Sequence, residues 1–224
     1  KIHAEWAHDS FEHAGAAGGF IDRYGYPFCR GRMINVLEKD HGQYDTVRSL
    51  FWATGAALLV RPADWNAVGG FDPHFFAHFE EIDFCWRLRA RARKIVCIPQ
   101  SVVYHVGGGT LPAEHPRKTY LNFRNSLTML YKNLPTDELR HVLRARKWLD
   151  GIAWFKYLIS GDFANANAVR RARRDFHKWQ HLFDATRRQN LEATTLFDIP
   201  ERIQRSLIYA FYVQRQKTFS QFMS

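Results

Sequence analysis

The sequence predicts an α/β region over residues 1–118 followed by an α-helical region over residues 119–224. Three features of the 224 residues divide the chain this way. Most of the glycines and prolines, with short apolar runs between them, fall in the first part; that texture suits strands, turns and short helices. The second part reads as long helical stretches with few breakers. Charge divides the same way: residues 1–118 carry 14 Lys/Arg against 13 Asp/Glu, whereas residues 119–224 carry 18 against 9. Most of the net +10 therefore lies in the second part, where any anionic partner is expected.

The elements follow in order. Gly15 to Gly19 (GAAGG) lacks the spacing of a dinucleotide fingerprint and reads as a turn-rich loop. Thr54 to Arg61 (TGAALLVR) is a short continuous apolar run, the signature of a buried strand. Pro62 then suits the first turn of a short helix that Gly69-Gly70 ends. Phe79 to Ala92 has helical periodicity, with Glu80 and Glu81 in its first turn and Arg89, Arg91, Arg93 and Lys94 near its end, both signs favourable to the helix dipole. Ile95–Ile98 and Val102–His105 are strand-like, separated by a Pro99-Gln100-Ser101 turn, and Gly107-Gly108-Gly109 is a loop. Helices are expected near 117–133, 137–160, 163–181 and 199–218, with junctions at Pro135, Gly161 and Pro200.

With 46% hydrophobic and 24% charged residues, the chain can bury a core. The apolar run Trp52–Val60 is far short of the roughly 20 residues that span a bilayer. Cys29, Cys85 and Cys97 stand in no metal-ligand spacing, and a reducing cytoplasmic setting is expected. The opening Lys1-Ile2-His3 suggests the later portion of a longer protein.

Several side-chain groupings could carry chemistry. Glu80, Glu81 and Asp83 place three carboxylates within four residues, so at least one should be harder to ionise if the site is partly dry. Glu80, Asp83 and Arg87 fall on one helix face, while Glu81 points about 100° away, freer to act as a general base. The same trio also suits a helix N-terminus that serves only the dipole. His74 and His78 stand four apart near Glu81, but outside the arrangement of a zinc helix. His105 closes a strand beside the glycine loop, a position for a metal ligand, a phosphate contact or a structural imidazole. Arg30 and Arg32 could present guanidinium forks to a phosphate, or form a solvated basic turn. Trp52 could stack on a sugar or fill the core.

Taken in order, residues 52–110 (WATGAALLVRPADWNAVGGFDPHFFAHFEEIDFCWRLRARARKIVCIPQSVVYHVGGGT) resemble the acceptor-side half of inverting GT-A glycosyltransferases, a family typified by bacterial rhamnosyl- and galactosyltransferases. Gly69, Gly70, Phe71, Asp72, Phe75, Phe76, Glu80, Glu81, Asp83, Phe84, Arg87 and His105 carry the likeness, with Asn122, Arg124 and Asn125 in the segment that follows. The resemblance implies a partial GT-A-like half-domain, with Glu81 as the base and His105 as a metal ligand. It also implies sugar or acceptor contacts from Trp52, Gly55, Asp72, Glu80 and Asp83, with Arg30 and Arg32 near the phosphates. Where the family usually has Asp, this chain has Glu81, which moves the carboxylate by about 1.5 Å and leaves Glu80 or Asp83 as alternative bases. No Asp-x-Asp stands upstream of Trp52, so Mg²⁺ or Mn²⁺ and the nucleotide-sugar donor are expected to need a missing N-terminal nucleotide-binding half, without which this chain would be inactive.

The basic second part mixes cations with aromatics at 144–160 (RARKWLDGIAWFKYLIS) and 170–179 (RRARRDFHKW). It reads either as a bundle with a solvated basic face or as a peripheral contact with an anionic membrane at its inner face, where lipid-linked acceptors reside. The alternative function is a basic helical nucleic-acid- or membrane-surface-binding protein without catalysis. No zinc finger or RNA-recognition signature supports a nucleic-acid partner.

Overall fold

The computed structural model describes residues 1–106 and 115–224. The expected Gly107-Gly108-Gly109 loop lies outside the described residues. The chain forms two compact units, Lys1–Gly70 with Phe84–Gly107 and Thr195–Ser224, and Phe71–Asp83 with Gly108–Thr194. A single cut near residue 118 therefore does not describe the division. Residues 71–83 belong with the helices, because their hydrogen-bond partners are there, and residues 195–224 belong with the sheets.

In the first unit, β1 (Ile2–Ala4) and β2 (Ala7–Phe11) make a hairpin, and β9 (Val103–His105) lies parallel to β1. A second sheet runs β10 (Arg202–Ile203), β3 (Gly19–Asp22), β4 (Pro27–Cys29), β5 (Arg32–Met33), β6 (Val36–Leu37). In it only β10 and β3 run parallel. β7 (Arg48–Leu50) pairs antiparallel with β8 (Ile95–Cys97). The core is aromatic: Phe20 and Phe28 on neighbouring strands pack against Phe219 and Phe222 of α8 (Phe219–Met223). Arg89 and Glu201 form a buried ion pair in this unit. As expected, α1 (Pro62–Val68) starts on Pro62 and ends on Gly69 in the left-handed conformation, a backbone that glycine adopts without strain.

Two expectations fail here. Thr54–Arg61 is not a buried strand. Gly55–Ala57 is a 3₁₀ turn capped by Thr54, and Leu58 and Arg61 have extended dihedrals. This stretch has no ladder partner among the described residues, and Leu59 is 99% exposed. Extended backbone becomes a strand only when a neighbour takes its N–H and C=O groups. Residues 199–218 are likewise not one helix. Arg202–Ile203 joins the sheet edge beside β3, and α7 (Leu207–Tyr212) restarts on a Ser206 cap. The buried Asp22 carboxylate accepts the Leu207 N–H, and this tertiary contact overrides the local helical pattern.

In the second unit, α3 (Pro116–Asn133), α4 (Thr136–Ile159) and α5 (Phe163–Trp179) match the expected helices, and α6 (Asp184–Glu192) is an unexpected fourth. α3 meets α5 through Tyr120, Leu121, Ala168 and Ala172. α4 turns Leu139, Val142, Arg146 and Asp150 inward. Buried Arg146 is bound by Asp150 and Ser126, and Asp150 also pairs with Arg173. The opposite face of α4 carries Trp148, Ile152, Phe155 and Ile159, all exposed. No helix among the described residues is long and apolar enough to cross a membrane.

Candidate active site

The segment between Gly70 and α2 (Glu80–Ala90) is short, conformationally costly and held from many sides. Asp72 caps a 3₁₀ turn over Pro73–Phe75 by accepting the His74 N–H at 3.0 Å. Phe76, His78 and Phe79 then take φ values of +65°, +68° and +72°. Each left-handed non-glycine residue costs on the order of 1–3 kcal/mol and persists only where its surroundings over-determine it. Those surroundings come from α3. Asn125 Nδ2 lies 2.9, 2.8 and 2.7 Å from the carbonyls of Phe75, Ala77 and His78, while Asn125 Oδ1 accepts from Arg124 Nε at 2.8 Å. Arg124 Nη2 also donates to the carbonyls of His74 and Phe75.

A second clamp is ionic. Lys132 is 0% exposed, with Nζ 2.7 Å from Asp72 Oδ2 and 2.8 Å from Asp83 Oδ2, and it rests over the Phe75 ring. Asn133 donates to Asp83 Oδ1 at 2.8 Å, and Asn190 of α6 supports Asn133 in turn. Burial raises the Asp72 carboxyl, but the Lys132 charge and hydrogen bond, with the His74 N–H, outweigh it and hold the group at about 2. Asp72 and Asp83 are thus the anionic jaws of a structural clamp. This corrects their expected role as substrate contacts and removes Asp83 from the candidate bases, because its carboxylate is occupied.

Glu80 and Glu81, both half-buried, open α2. Glu80 Oε2 is buried without a hydrogen-bond partner among the described residues, and burial, rather than repulsion within the trio, pushes its carboxyl up. His78 Nε2 is similarly buried and unpartnered, and burial, with the charge of Lys118, holds its imidazole down toward the neutral form. A carboxylate that resists ionisation beside one seated about 100° around the same turn is an arrangement suited to proton transfer. Arg87 donates to the carbonyls of Val68 and Gly70, anchoring the turn that ends α1 rather than serving only its own helix.

The remaining expected site residues lie in the sheet unit. Trp52 is 4% exposed, its Nε1 donates to the Phe20 carbonyl at 2.9 Å, and it packs on Gly19, so it has no free face for a sugar. Arg30 is buried with Nε on the Ala17 carbonyl and Nη1 on that of Thr46, a structural tie rather than a phosphate fork. Arg32, on β5, contacts Cys29 Sγ at 3.4 Å, which does not assign it to a phosphate. Gly55 is exposed in its 3₁₀ turn. His105 ends β9 with Nδ1 3.1 Å from Glu12 Oε2, and Glu12 also accepts the Ala14 N–H. Among the described residues no group of three or more His, Cys, Asp or Glu could hold a metal ion. His105 and Glu12 alone therefore do not complete a site for Mg²⁺ or Mn²⁺.

Sequence reasoning missed Lys132. The signal was a lysine on the face of α3 that also carries the buried Asn125 and Met129, where a cation needs a carboxylate partner.

No protein-family model and no solved structure matches the chain. Over 109 residues it is 28% identical to the rhamnosyltransferase WbbL of Escherichia coli K12, covering 48% of this chain and 38% of that protein. Over 71 residues it is 35% identical to the N-acetylglucosaminyl-diphospho-decaprenol L-rhamnosyltransferase of Mycobacterium tuberculosis, covering 30% of this chain and 23% of that one. Over 95 residues it is 25% identical to the low-salt glycan biosynthesis hexosyltransferase Agl10 of Haloferax volcanii, covering 42% and 31%. The chain spans well under half the length of these relatives. Across part of its length, then, this α/β chain is similar to glycosyltransferases, and at that coarse level the similarity supports a transferase.

Proposed function

We propose that the protein carrying these residues is an inverting glycosyltransferase of GT-A type, with this chain forming its acceptor side. A sugar moves from a nucleotide-diphosphate donor to a saccharide or lipid-linked acceptor. One observation carries the reading: a costly left-handed loop, over-determined by Asn125 and Lys132, delivers two half-buried carboxylates to the first turn of α2. Glu81 is the base. It takes the proton of the acceptor hydroxyl as that oxygen attacks the anomeric carbon and the bond to the nucleotide diphosphate breaks; a single displacement inverts the centre. Glu80, whose carboxyl burial makes harder to ionise, stands beside it in the same turn. A divalent cation enters only as an implication of the family likeness. The described residues offer no three-ligand set, so no step is routed through it.

The test is Glu81→Gln in the protein assayed for transfer of a labelled sugar. A loss of about 10²–10⁴ in turnover with unchanged circular dichroism is expected; activity within threefold of the parent would overturn the assignment. We further propose peripheral contact with the inner face of the membrane, supported by the exposed Trp148, Ile152, Phe155 and Ile159 on α4 and the exposed cations Arg144, Lys147 and Lys156 flanking them.

A further inference from the structure

The three cysteines of the chain differ in access. Cys29 and Cys85 are buried, whereas Cys97, on β8, is half-buried. β7 and β8 pair antiparallel with Arg48 directly opposite Cys97. The two side chains therefore leave the ribbon on the same face, with Cβ atoms about 5 Å apart. Arg48 is exposed and has no carboxylate ion pair among the described residues.

A second arginine approaches the same sulfur from the interior. Arg30 is 3% exposed, its Nε and Nη1 are held by the Ala17 and Thr46 carbonyls, and its Nη2 is buried with no hydrogen-bond partner. It too lacks a carboxylate ion pair among the described residues. A buried guanidinium without a counter-charge is costly, and burial holds Arg30 below its ordinary value. A negative charge on Cys97 opposes that effect through charge and hydrogen bond, while the charge of Arg48 adds to it. The buried guanidinium, the Cys97 sulfur and Arg48 are thus neighbours, all within the first unit. A neutral thiol is a weak acceptor and leaves the orphan N–H unsatisfied. An anion at the sulfur satisfies it, and a small molecule carrying carboxylates beside its own sulfur meets both cations. Thiol–disulfide exchange also starts from a thiolate, the form that adjacent cations favour.

We propose that Cys97 is a site of mixed-disulfide formation with an anionic low-molecular-weight thiol, seated on Arg30 and Arg48. The Cys97 thiolate attacks one sulfur of that thiol's symmetrical disulfide. A new S–S bond forms as the old one breaks, and the departing sulfur leaves with the electron pair and takes up the proton that Cys97 released. Cys97 is oxidised and the departing thiol is reduced. This site stands independently of the transfer reading. The experiment treats the protein separately with oxidised glutathione, an anion, and with cystamine, a cation, and follows modified peptides by mass spectrometry. Each rate is divided by that of the same disulfide with mercaptoethanol, which removes intrinsic reactivity. Cys97 should react ahead of Cys29 and Cys85, and at least tenfold faster with oxidised glutathione than with cystamine. Arg48→Glu should cut that preference at least tenfold with unchanged circular dichroism, since the side chain is exposed. The same charge change at the exposed Arg140, in the other unit, should leave the preference within twofold of the parent. An unmodified Cys97, equal rates with the two disulfides, a preference that Arg48→Glu leaves unchanged, or equal losses in Arg48→Glu and Arg140→Glu would each overturn the site. None of these outcomes depends on turnover, so the Glu81→Gln test remains separate.

Discussion

Substituting Lys132 by Met removes the cation on which two carboxylates converge and keeps an unbranched stem of similar length over Phe75. Lys132 and Asp83 are each 0% exposed, and the Asp72 carboxylate is 15% exposed. Stripping one partner from a buried pair leaves its charge uncompensated, at a cost of about 3–5 kcal/mol. For a chain of this size that corresponds to a fall in Tm of about 6–20 °C. Urea unfolding followed by circular dichroism gives the free energy, and Asp83→Asn in the Lys132→Met background should recover part of it, because the stranded charge is then gone. The pH dependence supplies a second check. Asp72 is held at about 2, below its ordinary 3.8, so its contribution is complete above about pH 4 and is lost as pH falls through about 2. Allowing for the part of the carboxylate open to water, that contribution is about 1–2 kcal/mol. It should shrink markedly in Lys132→Met, which leaves only the His74 contacts on Asp72. A variant that unfolds within about 1 kcal/mol of the parent, with an unchanged acid limb, would refute the clamp.

Other substitutions have definite signs. Burial raises the Glu80 carboxyl, so the folded state loses stability as pH rises above the ordinary value of 4.5; Glu80→Gln should stabilise the protein at pH 7 and be neutral at pH 4 in chemical unfolding. Gly19→Ala would set a Cβ 2.1 Å from the Trp52 ring, against a rigid wall, and should cost at least about 1–3 kcal/mol by thermal melting. Replacing Trp148 and Phe155 by Ser should abolish co-sedimentation with anionic vesicles at low salt without lowering Tm, since both side chains are exposed.

Much of the local architecture was legible in the sequence because its signals are local. Pro62 and Gly69 mark the two ends of α1, acidic residues open α2, and Pro135 and Gly161 mark the junctions before α4 and α5. What failed depended on distant partners. The apolar run at 54–61 has the composition of a strand, but composition does not say whether a neighbouring strand exists to pair with it. Trp52, Arg30, Asp72 and Asp83 are residue types that bind sugars and phosphates, and here the carbonyls of Phe20 and Ala17 and the ammonium of Lys132 occupy them first. Spacing suggests a raised carboxyl through repulsion within the trio, whereas the rise on Glu80 comes from burial, which spacing alone does not encode.

The clamp joins stretches far apart in sequence: Asp83 lies 49 residues before Lys132. On a ribosome adding about 5–20 residues per second, the segment from Asp72 to Asp83 emerges several seconds before the lysine and asparagines that hold it. During that interval nothing supports the left-handed backbone at Phe76, His78 and Phe79, and the aromatic sequence around them is open to other contacts. The geometry at the start of α2 can therefore be set only after α3 has been made. Slow codons between residues 84 and 132 would prolong that exposure, making the yield of folded protein sensitive to the pace of translation.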